Sequence, residues 1–352
     1  MSEVVTPPRS LCILRLSAIG DVCHIVPVVR TLQHAWPETA ITWVIGRVEA
    51  RLIGLLPGVE FITIDKRSLR AGAVALRRAL RARHFDVLLH MQTAARASLY
   101  SMLIRATRRI GFDRARAREL QWLFTNEGIP ARRCEHVLDT YFGFTEALGI
   151  GERRLEWGLP IPAEASAWAR AHIAPGERTL IVSACSSRRA RNWRAERYAA
   201  VIDHAVQRHG LKVLLCGGPT DYERAMAAAI ASAVRVPLLN LVGTDTLPQL
   251  LALLANATAL LAPDSGPAHM ATMVGTPVIG LGATTRSARS GPYLSRQWCV
   301  DRYASAALKF RGRRAEELPW NETIEDPGVM DLVDVASVCA RLDALLAHAT
   351  MA

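Results

Sequence analysis

The sequence predicts an α/β protein with two similar domains, each built on a parallel β-sheet covered by helices. The chain has 352 residues, more than one ordinary hydrophobic core contains, and 50% of them are hydrophobic, enough for two cores. Short apolar runs alternate with helix-length amphipathic stretches, the pattern of parallel sheets with helices on both faces. A polar, proline-containing segment from Glu156 to Ser166, EWGLPIPAEAS, interrupts this alternation and is predicted to link the domains.

The individual elements follow from the same patterns. In the first half, apolar runs predict strands near residues 11–16, 41–45, 59–64 and 85–90. Amphipathic stretches predict helices at 21–35, 47–56, 71–83, 94–106 and 135–148. In the second half, the runs TLIVSA, KVLLCG, ALLAP and PVIGL predict four strands separated by helices. We therefore expect domains over residues 1–155 and 156–330, and a C-terminal helix within 331–352 that packs back on the first domain.

The cysteines and the apolar runs indicate the compartment in which the protein is expected. The seven cysteines have neither paired nor metal-ligand spacing: Cys12, Cys23, Cys134, Cys185, Cys216, Cys299 and Cys339. Several of them lie in apolar runs, where a reduced thiol acts as a small hydrophobic group, so a reducing compartment is favoured. The first residues, MSEVVTPPRS, lack the basic and apolar blocks of a signal peptide, and no apolar run approaches the roughly 18 residues of a membrane span. We expect a soluble, cytoplasmic protein.

The positive charge is concentrated in one region. The formal net charge is +11, but the segment from Lys66 to Arg133 alone has 16 Lys or Arg and four acidic residues, a net charge of +12. A concentrated excess of this kind indicates an anionic partner, such as nucleic acid, an anionic membrane surface or a phosphorylated substrate. Solvated helix faces are the alternative interpretation.

An aspartate marks the end of the first strand. In LCILRLSAIGDVCHIVPVVRTL, a buried strand stops near Gly20 and a helix begins at Asp21. An acid in the first turn of a helix is favoured by the helix dipole, so simple capping is one interpretation. Because ligands bind at the carboxyl ends of strands in open α/β sheets, a role in a functional site is the other.

The second half contains a polar loop at the end of a strand. In LLAPDSGPAHMATMVGTPVIGL, the turn Asp264, Ser265, Gly266 leads into a helix that contains His269. Gly266 allows close approach of a ligand to the backbone, and the free amides of the helix start can bind an anion such as a diphosphate. An ordinary helix cap with a packed histidine is the alternative.

Two further loops of the second half have phosphate-binding chemistry. In SACSSRRARNWRAERY, the hydroxyls of Ser186 and Ser187 precede a cluster of arginines that includes Arg191. In CGGPTDYER, a glycine turn precedes Asp221, which can accept a hydrogen bond from a base or a ribose. The chain has no P-loop lysine pattern, no clean GxGxxG and no paired metal-binding carboxylates. These features predict a domain that holds a nucleoside diphosphate without a metal.

Four motifs together resemble glycosyltransferase family 9, the bacterial heptosyltransferases. They are LRLSAIGDVCHIVPVV, FDVLLHMQTAARASLY followed by RRIGFDRARARE, SACSSRRARNWRAERY, and DSGPAHMATMVGTPVIGLGATTRSARSGPY. Within the family, the hydroxyl pair after the strand is most similar to heptosyltransferase I. The resemblance implies the GT-B fold, in which two Rossmann-like domains with parallel sheets face a central cleft. It also implies an acceptor bound mainly by the first domain and a nucleotide sugar bound by the second.

The resemblance further implies an inverting, metal-independent transfer of heptose from ADP-heptose to the Kdo-lipid A inner core of lipopolysaccharide, without a cofactor. The implied general base is Asp21, and Arg191 stands where the family usually has a lysine that acts on the diphosphate. The implied donor-binding residues are Ser186, Ser187, Asp221, Asp264, Ser265, Gly266 and His269. The implied acceptor-binding residues are Gly20, Arg67, Arg70, Arg96, Arg114, Arg116 and Arg118.

Three alternatives stay open at this point. A family 9 transferase could use another nucleotide sugar or another acceptor. A GT-B-like nucleotide-sugar epimerase would share the DSG turn but should have more acidic groups opposite the donor than Asp21 alone. A nucleic-acid-binding protein would account for the arginines, but no nucleic-acid-binding motif is present. The basic region also predicts peripheral association with the inner leaflet of the membrane.

Overall fold

The chain forms two compact units, which meet in sequence inside the proline-containing segment. The computed structural model describes residues 6–351. The first unit ends at Pro160 and the second begins at Ile161. No helix in this described part of the chain is long and apolar enough to cross a membrane.

The first unit has one six-stranded parallel sheet. Its strands are β1 (Ser10–Leu14), β2 (Ala40–Gly46), β3 (Val59–Ile64), β4 (Phe85–His90), β5 (Ala106–Gly111) and β6 (Glu127–Gly128), in the spatial order β3-β2-β1-β4-β5-β6. Its helices are α1 (Ile19–Ala35), α2 (Arg47–Ile53), α3 (Leu69–Ala79), α4 (Ala95–Ser101) and α5 (Val137–Ala147). The central strand β1 pairs on both sides and is apolar and buried from Leu11 to Leu14, as expected for a parallel strand covered on both faces.

One predicted helix of this unit has only about half its expected length, and a strand follows it. The helix predicted over 94–106 ends at Ser101, and β5 begins at Ala106. The strand contains Arg108 and Arg109, which interrupt its apolar pattern. Arg108 is paired with Glu127, and Arg109 donates to backbone carbonyls, so both charges are accommodated beside the sheet.

The second unit repeats the architecture of the first. Its strands are β7 (Thr179–Val182), β8 (Lys212–Leu215), β9 (Leu239–Asn240), β10 (Ala259–Pro263), β11 (Val278–Gly282) and β12 (Val300–Asp301), all parallel, in the order β12-β11-β10-β7-β8-β9. Its helices are α6 (Ala163–His172), α7 (Ala195–His209), α8 (Asp221–Ala233), α9 (Leu247–Asn256), α10 (Gly266–Met273), α11 (Ser287–Ser290), α12 (Tyr303–Arg311) and α13 (Val335–Met351). The sequence patterns did not predict the two-residue strands β9 and β12.

The C-terminal helix belongs to the core of the second unit. Val338, Leu342 and Leu345 of α13 are buried in the same hydrophobic cluster as the apolar residues of α7. The residues after 330 are therefore part of the second unit, where the apolar face of α13 is covered.

Both sheets have the strand order of a Rossmann fold. In each unit, the first strand lies between the second and the fourth strands. The chain therefore adds strands first on one side of this strand and then on the other, and the change of side falls between β1 and β4 and between β7 and β10. Ligands of open α/β sheets bind at this reversal, outside the carboxyl ends of the strands. The loops after β1, β7 and β10, in which the sequence predicted functional residues, all lie at these positions.

Candidate functional site

Asp21 lies in the first turn of α1, the helix that follows β1. Its Oδ2 accepts a hydrogen bond of 3.0 Å from the backbone amide of Ala18. This contact satisfies one of the free amides at the helix start, so Asp21 does act as a cap. The side chain is 32% exposed, which leaves part of the carboxylate open to a ligand.

A buried arginine and a tyrosine hold this carboxylate in place. Arg15 Nη2 lies 2.6 Å from Asp21 Oδ2, and the hydroxyl of Tyr141 donates to Oδ1 at 3.2 Å. Arg15 also donates to the carbonyl of Met91, at 2.5 Å. Burial opposes the charge on Arg15, but the nearby Asp21 carboxylate outweighs this effect and raises the arginine pKa. The arrangement gives an oriented carboxylate with one open side, which can accept a proton from a hydroxyl group.

The sequence patterns missed both partners of Asp21. A signal for Arg15 was present, because an arginine directly after a buried apolar strand needs a counter-charge. Tyr141 lies on α5, 120 residues from Asp21 in sequence, and nothing in the local sequence connects the two.

The predicted acceptor arginines differ in their exposure and in their contacts within the protein. Arg67, Arg70 and Arg118 are exposed. Arg114 is also exposed, and its guanidinium lies over the ring of Trp122 at 4.7 Å. Arg96 is exposed and donates to the carbonyl of Lys66.

Arg116, by contrast, is engaged by partners within the protein, and its acceptor role stays a prediction. Its guanidinium contacts Asp113 and Glu135 and donates to the carbonyl of Pro130 at 2.6 Å. Two carboxylates neutralise this arginine, so it holds the segment 113–140 together rather than offering a free cation. Gly20 is buried in the first turn of α1.

Acids from outside the basic segment neutralise several more of its cations. Lys66 pairs with Glu49, Arg83 with Glu60 and Arg132 with Glu146. The net charge of +12 over residues 66–133 therefore overstates the free positive charge of this region. The exposed cations include Arg70, Arg77 and Arg78 of α3 and Arg114 and Arg118 of the loop after β5.

A second aspartate–arginine pair lies at the reversal point of the second unit. Arg191 belongs to a short 3-10 turn after β7, and its Nη1 lies 3.1 Å from Asp264 Oδ2 and 3.2 Å from the Asp264 carbonyl. Asp264 directly follows β10, and Ser265 separates it from the first residue of α10. The structure thus brings together two loops that are more than 70 residues apart in sequence.

The carboxylate of Asp264 is fully engaged inside the protein. Its Oδ2 accepts hydrogen bonds from Thr285 at 3.0 Å and from Ser290 at 2.9 Å, and its Oδ1 lies 3.5 Å from Nε2 of His269. Burial opposes ionisation, but the hydrogen bond from His269 and the charge of Arg191 outweigh it and hold the Asp264 pKa well below its usual range. Asp264 therefore orients Arg191 and His269.

Two donors beside Asp264 have unused hydrogen-bonding capacity. Arg191 Nε and Ser265 Oγ are buried and have no partner within the residues that the structure describes. A buried donor without an acceptor is costly, so these atoms favour an oxygen-rich ligand at the start of α10. Gly266 is the first residue of α10, so the free amides of the helix start lie at the same place.

Asn192 fixes the shape of the loop after β7. Its Oδ1 accepts from the amide of Ser186 at 2.6 Å, and its Nδ2 donates to the hydroxyl of Tyr222 at 3.2 Å. The sequence patterns missed Asn192 and Tyr222. Ser186 is buried and its Oγ accepts from the Arg188 amide, whereas Ser187 is exposed.

The glycine turn after β8 is organised by Glu223 rather than by Asp221. Glu223 accepts from the amide of Gly218 at 2.8 Å and from the hydroxyl of Thr220 at 2.6 Å, while Asp221 is exposed. The spacing of threonine and glutamate in TDYE is a helix-start signal that could have identified Glu223. A small pocket beside this turn is lined by Cys216, Gly217, Glu223 and Val242, among others.

Sequence comparison decides the class of this protein. Residues 73–319 match the sequence model of glycosyltransferase family 9 (heptosyltransferase). The chain belongs to glycosyltransferase family 9. It is 38% identical to the lipopolysaccharide core heptosyltransferase OpsX of Haemophilus influenzae, over 96% of this chain and 97% of that protein.

Two solved structures have the same fold as this glycosyltransferase. A family 9 glycosyltransferase from Veillonella parvula matches with a TM-score of 0.78 and 21% identity, over 97% of both chains. The E. coli heptosyltransferase WaaC with ADP-2-deoxy-2-fluoro heptose matches with a TM-score of 0.68 and 19% identity, over 95% of this chain and 99% of that one. The predicted family and the predicted fold, two Rossmann-like domains of the GT-B type, are confirmed.

The two pairs suit the two needs of a glycosyltransferase. An acceptor hydroxyl must lose a proton as it attacks the sugar, and an oriented carboxylate such as Asp21 can accept it. The leaving group gains charge, which fixed donors and cations such as Arg191 can stabilise. The further assignment to heptosyltransferase I stays a prediction.

Proposed function

We propose that this glycosyltransferase moves heptose from ADP-heptose to the Kdo-lipid A inner core of lipopolysaccharide, with inversion and without a metal. The observation that carries the proposal is the placement of Arg191 against Asp264 at the start of α10, where Arg191 Nε and Ser265 Oγ have no partner within the described residues. A diphosphate offers the acceptor oxygens that these donors need.

The names of the similar proteins support the choice of donor and pathway. OpsX is a lipopolysaccharide core heptosyltransferase, and WaaC is a heptosyltransferase with ADP-2-deoxy-2-fluoro heptose. In the present chain, we assign the diphosphate to Arg191, Ser265 and the amides of Gly266 and the following residues. Ser186, Ser187 and His269 are further candidate contacts of the donor.

We assign the nucleoside to the neighbourhood of the glycine turn after β8. A small pocket lined by Cys216, Gly217 and Val242 lies beside that turn, at the carboxyl end of β8, where ligands of open α/β sheets bind. Burial raises the pKa of the nearby Asp245 to about 6. Asp221 is exposed at the start of α8, and its predicted contact with the nucleoside stays a prediction.

The chemistry we propose is a single displacement. The acceptor oxygen attacks the anomeric carbon of heptose, the bond from that carbon to the ADP oxygen breaks, and the configuration inverts. Asp21 takes the proton of the acceptor hydroxyl. Arg191 and the start of α10 stabilise the negative charge that develops on ADP. No metal is needed in this scheme, because fixed cations and amides supply the charge stabilisation.

The acceptor side is assigned to the first unit. Kdo carboxylates and lipid A phosphates are anionic, and Arg67, Arg70, Arg114 and Arg118 are exposed cations of that unit. The same residues would attract anionic headgroups, with each cation near the surface contributing about 1 kcal/mol. We therefore propose peripheral association with the cytoplasmic face of the inner membrane.

One assay tests the proposed reaction. Purified protein is incubated with ADP-heptose and Kdo-lipid A, with other nucleotide sugars in parallel and with EDTA in a matched sample, and the anomeric configuration of the product is determined. The proposal expects transfer from ADP-heptose, an inverted linkage and full activity in EDTA. Transfer only from another nucleotide sugar, a retained configuration, or activity that is lost in EDTA and restored by magnesium would contradict it.

A further inference from the structure

Two helices of the second unit bring two histidines and an aspartate together away from the donor loops. His204 and His209 lie in the last turns of α7, and Asp343 lies on α13, which packs against α7. His204 Nε2 is 2.7 Å from Asp343 Oδ1, and His209 Nε2 is 2.6 Å from the same oxygen. No residue of this group has a part in the proposed transfer reaction.

The geometry points to a metal site: we propose that His204, His209 and Asp343 bind a divalent transition metal ion, with zinc as the preferred occupant. Each residue offers one ligand atom, and these three atoms all lie within 4.8 Å of one another. Ligands at zinc distances of roughly 2.0–2.2 Å are separated by about 3.4 Å in a tetrahedral site, so small side-chain rotations bring all three atoms onto one ion.

The donor set fits this class of ion. Two imidazole nitrogens and one carboxylate oxygen form a common set for zinc and for other first-row transition metals, whereas magnesium and calcium prefer oxygen ligands alone. Metal binding requires that both imidazoles carry their proton on Nδ1, so that both Nε2 atoms present a lone pair to the ion. The two N–H···O contacts with Asp343 are then replaced by bonds to the metal.

The exposure of the group also suits a metal. The three side chains are 25%, 18% and 32% exposed, so an ion can enter from solvent and keep water in its remaining positions. Arg208 Nε lies 3.6 Å from the other oxygen, Oδ2, but its side chain is 66% exposed and can turn away.

The position of the site indicates a structural role. Helix α7 has 15 residues and is therefore about 20 Å long, and the donor loop with Arg191 precedes its first turn. His209 is at the opposite end. An ion bound there would join the end of α7 to α13, and it would stabilise the folded second unit without taking part in the transfer.

Zinc titration of the full-length protein tests the site. Equilibrium dialysis in the presence of a non-thiol reductant measures the number of zinc ions bound and their affinity, for the wild type and for the His204→Gln/His209→Gln double variant. We expect one zinc ion per chain in the wild type and at least about tenfold weaker binding in the double variant. His84→Gln, which changes an exposed histidine of the first unit, is the matched control and should bind like the wild type.

Cobalt(II) as a spectroscopic probe separates this site from the cysteines. The wild type should give visible d–d bands of a low-symmetry site without a thiolate-to-cobalt charge-transfer band, and the double variant should lose them. Unchanged ADP affinity in the double variant shows that the second unit is folded. The proposal is overturned if the wild type binds no zinc, if the double variant binds it equally well, or if the cobalt spectrum shows thiolate ligands.

Discussion

Each unit has an aspartate–arginine pair near the carboxyl ends of its central strands, and the two pairs differ in which partner is the more exposed. In the first unit, the Arg15 side chain is 11% exposed and that of Asp21 is 32% exposed, with 2.6 Å between the charged atoms. In the second unit, Asp264 is the more buried partner at 13%, against 19% for Arg191, with a distance of 3.1 Å. The acid is the more exposed partner of the first pair, and the arginine is slightly the more exposed partner of the second.

The hydrogen bonds around the two acids explain this difference. Asp264 accepts hydrogen bonds from the hydroxyls of Thr285 and Ser290 in addition to its contact with Arg191, so its oxygens have partners within the protein. Asp21 accepts one hydrogen bond from the hydroxyl of Tyr141 and one from a backbone amide, and its side chain is more exposed than that of Asp264. The first pair therefore suits proton transfer, and the second suits the binding of an anion.

The largest expected effect is a fall in turnover when the Asp21 carboxylate is removed. Asp21→Asn keeps the size of the side chain but removes its ability to accept a proton, so the turnover number should fall by about a hundredfold to ten-thousandfold. Single-turnover kinetics with saturating donor measure this step. Glu38→Gln, a change of an exposed acid in the same unit, should leave turnover unchanged. Near-normal turnover of Asp21→Asn would show that another group takes the proton.

The second expected effect concerns stability rather than turnover. Asp264→Asn leaves the Arg191 charge without its counter-ion in a largely buried place, so the free energy of unfolding should fall by about 3 kcal/mol. Urea denaturation measures this change. The corresponding exposed change Asp221→Asn should alter stability little. Equal stability of the two variants would show that Asp264 has no orienting role.

The same aspartate gives a pH dependence of known sign. The pKa of Asp264 is lower in the folded state than its ordinary value of about 3.9, so its contribution to stability is complete above that pH and is lost as the pH falls towards the folded-state pKa. Below about pH 4, the difference in unfolding free energy between the wild type and Asp264→Asn should therefore shrink. A difference that grows on acidification would contradict the assigned ion pair.

The third expected effect is on the donor. Arg191→Ala removes the cation from the proposed diphosphate site. Because a hydrogen bond to a charged group contributes about 1.5–3 kcal/mol, the donor KM should rise by about tenfold to a hundredfold. Arg191→Lys keeps the charge and should give an intermediate value. Arg170→Ala, at an exposed arginine of the same unit, is the control. An unchanged donor KM in Arg191→Ala would exclude Arg191 from the diphosphate site.

The smallest expected effect is on the acceptor. Neutralising Arg114 and Arg118 together should weaken binding of Kdo-lipid A by about fivefold for each cation at low salt, and less at high salt where screening is stronger. ADP affinity should not change. Arg116→Ala is a useful contrast, because Arg116 is neutralised by Asp113 and Glu135 and its loss should lower stability instead. Salt-independent binding by the double variant and the wild type alike would remove these arginines from the acceptor site.

The sequence patterns identified the long elements and the loops that bear the site, because those depend on local periodicity. Strand β5 was missed, since Arg108 and Arg109 interrupt its apolar pattern and only their distant partners explain why they are tolerated. The acceptor role of Arg116 stays a prediction, and its ion pairs could not be predicted for the same reason. Spacing shows that an arginine is present, but it does not show that Glu135 neutralises it.

In the candidate site, too, local sequence predicts some residues, whereas contacts between distant elements determine others. Asp21, Arg191 and Asp264 were identified from their positions after strands and from the family resemblance. Arg15, Tyr141 and Asn192 were not, because their roles depend on contacts with other elements. The contrast between an open acid and a buried acid was also not predictable, since it depends on hydroxyl groups that reach Asp264 from the segment 285–290.

Calorimetric titration of ADP into the wild type, Asp21→Asn and Arg191→Ala tests most directly whether the two pairs have opposite roles. If the first pair supplies the base and the second holds the diphosphate, Asp21→Asn binds ADP with the affinity of the wild type, and Arg191→Ala binds it at least about tenfold more weakly. Loss of ADP affinity in Asp21→Asn together with wild-type affinity in Arg191→Ala would contradict these two roles.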